Sequence, residues 1–352
     1  MKIAAIIAMG LMGLTLAQTK AQTTDISGMD NVVYIENTTV NTHGEKTEIT
    51  ASVMMNNTDV ICGFEFNLVL PDGVSVPKDD DDCYMIELST ERTTARNHNI
   101  FDSALKPDGS IYVLCNSTRS KTFSGNSGEV ATITFCVEGD IPTGNSNVTL
   151  RNQVITRSDA STIKPGDITS AITVTAPQPL NSYGYTTFSC NADMKISGGT
   201  AYTAVVDGTD IVCSPITDGI IPAYTGVLIC SNNADGISFS PATSTATLGA
   251  NHLLPTTTQE GLAEVPGTGY VYVLNDNKFC HFVGTKFTIN KAYFNLSSTP
   301  AARMNIIIDE GTGIDAVRVD ESSTAVYDMQ GRKLRAPQTG LYIINGQAKF
   351  VK

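Results

Sequence analysis

From about Asn31 onward the apolar residues of this chain recur at every second position, in short runs broken by turn residues, and nowhere at the 3.6-residue period of a helix. Cys62, Phe64, Phe66, Leu68 and Leu70 alternate with Gly63, Glu65, Asn67 and Val69, and Pro71-Asp72-Gly73 then turns the backbone before Val74 and Val76. Successive side chains of a strand point to opposite faces, so this pattern predicts a strand with one face in a core. Ile49, Ala51, Val53 and Met55 share one parity around Thr50 and Ser52, with Asn56-Asn57 ending the run. Further strands are predicted at Tyr84 to Leu88, Ile111 to Cys115, Val130 to Val137, Asn147 to Leu150 and Ile172 to Val174. Together they predict an all-β sandwich of about 150 residues.

Composition supports the same class. Only 16% of the 352 residues are charged, and Thr, Ser and Asn supply the remaining polarity. Threonine suits a pleated, half-wet surface and loses rotamer freedom in a helix. With 41% hydrophobic residues the chain can build a core, which excludes a disordered polyanion. The net charge of −12, without clustered Lys and Arg, excludes a nucleic acid partner.

Residues 1–21 read as a secretory signal: Lys2, an apolar run from Ile3 to Leu16, then the small-residue exit Thr19-Lys20-Ala21. That run is too short to span a bilayer, which needs about 20 residues, and no later segment is long enough, so no transmembrane segment is expected after signal removal. Eight cysteines divide evenly, Cys62, Cys83, Cys115 and Cys136 in the first half and Cys190, Cys213, Cys230 and Cys280 in the second. Two readings stand equally: disulfides within each half of an exported chain, or free thiols acting as small buried hydrophobes. No C-x-x-C occurs, and His43, His98, His252 and His281 are scattered, so a zinc site is disfavoured.

The expected organisation is a sandwich at 22–176, a linker at 177–182, a second β-rich module at 183–310 and a short β unit at 311–352. Ala176-Pro177-Gln178-Pro179 marks the linker, because two close prolines prevent ladder hydrogen bonding. The second module shows strand-like runs at Tyr185 to Ser189, Ala201 to Val206, Val227 to Cys230, Tyr270 to Leu274 and Met304 to Ile308. In the last unit Asn345-Gly346 lies between two β-like runs, a strong signal for a two-residue hairpin.

The stretch from Asn56 to Gly73, with its Gly63-Phe64-Glu65-Phe66-Asn67-Leu68-Val69-Leu70-Pro71-Asp72-Gly73 core, resembles the G-F-x-F-x-L-x-L-P-x-G strand of cohesin-like domains. Gly128 to Phe135, after the glycine-containing loop Phe123 to Ser127, is similar to a later strand of that family. The resemblance implies a jelly-roll cohesin-like sandwich, related to some carbohydrate-binding modules, whose members bind dockerin partners through one sheet face. The segment Val326 to Lys333, followed by Gly340 to Lys352, resembles carboxy-terminal domains used for type IX secretion, which implies passage to the outer-membrane exterior. Ile221 to Val227 and Lys291 to Phe294 look like a module recurrent in such surface proteins, without a defined activity.

Little in the chain points to catalysis, and no catalytic residue or cofactor is expected. Gly125-Asn126-Ser127-Gly128-Glu129 misses the G-x-S-x-G elbow by one residue, and Gly267-Thr268-Gly269 and Gly311-Thr312-Gly313 lack the context of a phosphate loop. Lys78-Asp79-Asp80-Asp81-Asp82 is the dense charge cluster; hydration is the expected state of those carboxylates, with calcium ligation the minority reading. Without tryptophan, sugar stacking would fall to Tyr84, Tyr112, Tyr183, Tyr185, Tyr202 or Tyr224, each more readily a packing residue. Arg92, Arg96 and His98 match a polar stretch of cohesin-like relatives, with a solvated loop as the default and a partner contact as the alternative. The sequence places no single residue of a partner-binding face. It supports a non-enzymatic, secreted, cell-surface binding or adhesion protein that takes a surface protein (dockerin-like or other), with polysaccharide binding by the same sandwich as the alternative.

Overall fold

The computed structural model describes residues 24–233, 236–243, 247–299 and 301–308, and in the tail 326–327, 333–334, 340–344 and 347–351. The export signal expected at 1–21 lies outside the described residues. The described residues from 24 to 308 form one compact unit, and those of the tail a second.

The first twelve strands are β1 (Asn31–Ile35), β2 (Thr38–Val40), β3 (Thr47–Asn57), β4 (Ile61–Val69), β5 (Val74–Ser75), β6 (Ile86–Leu88), β7 (Asn99–Leu105), β8 (Ile111–Asn116), β9 (Ser127–Val137), β10 (Gly144–Arg157), β11 (Thr162–Ile163) and β12 (Ile168–Val174). One sheet runs β1-β3-β9-β5, with β6 also on β9; the other runs β2-β12-β10-β4-β8-β7, with β11 on β10. The chain crosses repeatedly between them, giving a jelly-roll sandwich. Val53, Met55, Ile133 and Phe135 of one sheet meet Phe64, Phe66, Leu68, Val113 and Ile155 of the other in a single core. Phe64 and Phe66 are fully buried, and burial of each stabilises the fold by roughly 1.5–3 kcal/mol.

The alternation expected in β4 is broken at its start. Gly63 pairs with Thr156 and Ile61 with Arg157, so Cys62 is an extra residue on its strand, a bulge. Ile61, rather than Cys62, therefore enters the core, and the Cys62 thiol turns to the Arg157 carbonyl at 3.3 Å. The run expected at Tyr84 to Leu88 is shorter as a strand, since Tyr84 makes only an isolated bridge to Lys78 before β6 begins at Ile86.

The second region contains β13 (Tyr185–Phe188), β14 (Met194–Ser197), β15 (Thr200–Asp207), β16 (Asp210–Pro215), β17 (Ile220–Ile221), β18 (Val227–Cys230), β19 (Ser238–Pro241), β20 (Leu254–Pro255), β21 (Thr257–Thr258), β22 (Gly261–Leu262), β23 (Tyr270–Asn275), β24 (Lys278–His281), β25 (Ala292–Leu296) and β26 (Arg303–Ile308). A long sheet runs β13-β18-β15-β16-β26-β24-β23-β25-β20, and a small sheet, β17-β14-β19, packs on one end of it through Phe188, Met194, Ile229 and Phe239. The long sheet curls until its ends approach: the Ala292 N–H donates to Thr187 Oγ1 at 3.1 Å and the Ser189 hydroxyl to the Lys291 carbonyl at 2.6 Å.

In the second compact unit, β27 (Val326–Tyr327), β28 (Lys333–Leu334), β29 (Gly340–Ile344) and β30 (Gln347–Val351) form a sheet in the order β28-β27-β29-β30. Ile344 faces Gln347, the register that a two-residue hairpin requires; Asn345-Gly346 itself lies outside the described residues.

Candidate functional site

The two outer faces of the sandwich differ in chemistry. On the β3-β9 side the outward residues are hydroxyl-rich: Thr50 and Thr134 share a hydrogen bond of 3.2 Å, and Ser52 donates to Glu129 at 2.5 Å. On the β10-β4-β8-β7 side the register aligns Val154, Glu65, Leu114 and Phe101 in one row across four strands. The next row holds Arg151, Asn67 and Tyr112. Phe101 is 47% exposed on β7, the edge strand, and Leu105 further along the same strand is also exposed.

Polar contacts link the side chains of that face. Tyr112 donates its hydroxyl to Glu65, and desolvation together with this carboxylate pushes the phenol up to about 12, so it remains a donor. The Lys106 ammonium donates to Asn67 Oδ1 at 2.7 Å and lies 4.7 Å from the centre of the Tyr112 ring, a cation–π contact. Gly63 brings β4 close to β8: a Cβ there would sit 2.9 Å from the Cys115 carbonyl oxygen.

The polar segment with Arg92 and His98 is neither a solvated loop nor a partner contact at those two residues. Arg92 is 3% exposed and His98 fully buried, while Arg96 is exposed. The Arg92 guanidinium donates to the carbonyls of Met55, Ser124 and Gly125 and to Asn57 Oδ1, all at 2.7–2.8 Å. Burial lowers its pKa, the neighbouring Glu91 carboxylate opposes that, and these four oxygen acceptors satisfy the guanidinium's donors. His98 bonds Thr93 through Nδ1 and stacks on Phe123 with ring centres 4.1 Å apart. The segment closes one end of the core. Sequence polarity misled here because the acceptors come from residues more than 30 positions away.

The other candidates are scattered. Lys78 pairs with Asp82 at 2.9 Å, and Asp79 Oδ1 accepts the Asp81 and Cys83 N–H groups, so the acidic run caps its own turn. Among the described residues no group of three or more His, Cys, Asp or Glu side chains is placed to hold a metal ion. Lys78 lies 5.0 Å from the Tyr84 ring centre, while Tyr185 and Tyr202 pack against the core of the second region and Tyr224 is half-buried. Tyr183 is 54% exposed. None of the eight cysteines is joined in a disulfide. Cys115, Cys136, Cys190 and Cys213 are buried, and burial pushes the thiols of Cys115, Cys190 and Cys213 up to about 12. Sequence reasoning missed Phe101; its signal was the adjacent pair Ile100-Phe101, which in a strand must place one large apolar residue outside.

No known protein family and no curated protein matches the chain by sequence. Solved structures similar to part of it include cohesins. The seventh type I cohesin of ScaB from Pseudobacteroides cellulosolvens shares 21% identity, with 43% of this chain and 96% of that chain covered and a TM-score of 0.33. The cohesin of a type I cohesin–dockerin complex from Clostridium thermocellum shares 15%, covering 41% and 99%, with a TM-score of 0.33. A non-cellulosomal cohesin from Archaeoglobus fulgidus shares 14%, covering 41% and 91%, with a TM-score of 0.32.

Proposed function

We propose that this chain is an exported, non-enzymatic binding protein of the cell surface, and that its sandwich takes a protein partner on the outer face of the β10-β4-β8-β7 sheet. The observation that carries this reading is the row Val154, Leu114 and Phe101, with Tyr112 and Arg151 beside it. Apolar and aromatic side chains set among aligned polar groups are what a protein interface needs at its centre, and Phe101 and Leu105 stand exposed on the edge strand of this face. A dockerin-like protein is the first partner to try, given the motif resemblance. Pull-down with the full chain tests it. A panel of purified dockerin-type repeats, then surface extract with and without added glycans, should yield a partner retained by the native chain and lost with the double variant Phe101→Ser, Leu114→Ser. Equal retention by both overturns the assignment of this face; retention only of polysaccharide overturns the protein reading.

The proposed division into sandwich at 22–176, linker at 177–182, second module at 183–310 and sorting unit at 311–352 gives the tail its own role. Deleting residues 311–352 should abolish surface appearance of the chain. Unchanged fractionation would refute sorting by that unit.

A further inference from the structure

In the second region the curled sheet leaves a cleft of about 500 Å³ along the seam where β13 meets the segment entering β25. Its lining includes Lys291, Lys286, Thr186, Phe282, Phe287 and Asp276. Lys291 is the unusual member. Its backbone is clamped: the N–H donates to Thr256 Oγ1 at 2.9 Å, and its carbonyl accepts from the Thr256 N–H and from the hydroxyls of Ser189 and Thr256. Its side chain runs back across the seam, where the ammonium donates to Thr186 Oγ1 at 2.9 Å. No carboxylate pairs with it among the described residues.

A lysine ammonium carries three donors, and one hydroxyl satisfies one of them. Burial pushes the Lys291 pKa down with no opposing charge to restore it. The remaining polar lining is hydroxyl and amide, from Thr187, Thr256, Thr288, Asn181 and Asn275, with one carboxylate from Asp276 and a second cation from Lys286. The apolar wall is aromatic: Phe282 and Phe287 have ring centres 5.5 Å apart and near-parallel planes, and Phe287 stacks in turn on Tyr293 at 4.3 Å.

We propose that this cleft binds an acidic sugar, a uronate ring, with its carboxylate on the Lys291 ammonium. The three parts of the lining match the three parts of such a ligand. The carboxylate completes the lysine's hydrogen bonds as a charge-assisted pair. The ring hydroxyls meet the exposed Thr288 and Asn275 side chains and the Asp276 carboxylate, and the ring's C–H face lies against Phe282. A cation held without a counter-ion and fixed by its own backbone costs folding stability and is already in place for an anion, the trade expected of a binding site. The site lies outside the sandwich and does not rest on the function proposed for it.

Calorimetric titration of the full chain at physiological salt, where the net negative charge is screened beyond about 8 Å, tests the proposal. Glucuronate and galacturonate should bind saturably, glucose and galactose at least about tenfold more weakly, and acetate more weakly than either uronate. Lys291→Met should reduce uronate affinity by about tenfold or more. Because that variant touches a half-buried, hydrogen-bonded position, the exposed Lys286→Met provides a second route, expected to weaken uronate binding while the unfolding temperature is kept. A separate readout distinguishes binding from architecture: removing an uncompensated cation, Lys291→Met should raise the ligand-free unfolding temperature at pH 7. Since the folded-state pKa is depressed below 10.5, that gain should shrink as the pH rises toward 10.5, where the native lysine sheds its proton first. Equal binding of neutral sugars, tighter binding of acetate than of uronate, or uronate affinity unaffected by these variants would overturn the proposal. The Phe101→Ser, Leu114→Ser variant should bind uronate as the native chain does, so failure of the sandwich reading leaves this result standing.

Discussion

Arg92, His98 and Lys291 are polar residues whose roles follow from what surrounds them rather than from their own chemistry. Four oxygen acceptors make a buried guanidinium tolerable at position 92, whereas a single hydroxyl leaves the ammonium at 291 open to a ligand. His98 gives the residue scale a pH test. Burial lowers its pKa in the folded chain below 6.5, so above that value the histidine is neutral in both states and contributes no pH dependence. As the pH falls below 6.5 the unfolded chain takes up a proton that the folded chain resists, and stability is lost, at a slope of up to about 1.4 kcal/mol per pH unit. The stability difference between the native chain and His98→Gln, measured by urea unfolding from pH 7.5 to 5, should therefore narrow as the pH falls. A difference independent of pH would mean that the imidazole protonates freely in place. None of this was legible locally, because Arg92, Arg96 and His98 look alike in a polar stretch and only Arg96 remains exposed.

At the scale of elements much was legible. The strands at Ile49 to Met55, Ile111 to Cys115 and Val130 to Val137 appear where the sequence placed them, and Ala51, Val53 and Met55 face inward as their shared parity predicts. What alternation could not show was the bulge at Cys62, which depends on how many residues the partner strand β10 spends over the same length. Nor could it show that β7 ends its sheet, leaving Phe101 uncovered on the face we assign to a partner. Gly63 tests how closely β4 and β8 must approach. Gly63→Ala would place a methyl 2.9 Å from a backbone carbonyl that can yield only by parting the strands, and should cost about 1–3 kcal/mol in chemical denaturation. Gly267→Ala, where a Cβ meets nothing within 4 Å, should stay within about 0.5 kcal/mol of the native chain. Equal effects at the two positions would show that the strands adjust freely.

At the scale of the whole molecule, the sandwich and the curled second region meet within one compact unit. Asn290 is buried between them, its amide donating to the Thr143 carbonyl at 2.9 Å and the Ser189 carbonyl at 2.8 Å. Asn145 and Asn191 exchange a second pair of bonds nearby, at 2.7 and 2.9 Å. Position 290 has a φ of +58°, which asparagine tolerates and glycine accepts without strain. Asn290→Gly thus removes the bridge while keeping the backbone conformation, and should cost about 2 kcal/mol and split calorimetric unfolding into two transitions. A single transition at the native temperature would show that the two regions hold together without it. The sequence by itself determined the all-β class, many strand positions and the inward face of Ala51 to Met55 and of Phe64 to Leu68, because side-chain parity and turn residues act over a few neighbouring positions. The tertiary structure decided which polar residues are buried, which sheet face is left bare and where a cation stands without a partner. Those properties are set by groups far apart in the chain, Thr186 and Lys291 being 105 residues apart, and no local pattern records which segments will meet.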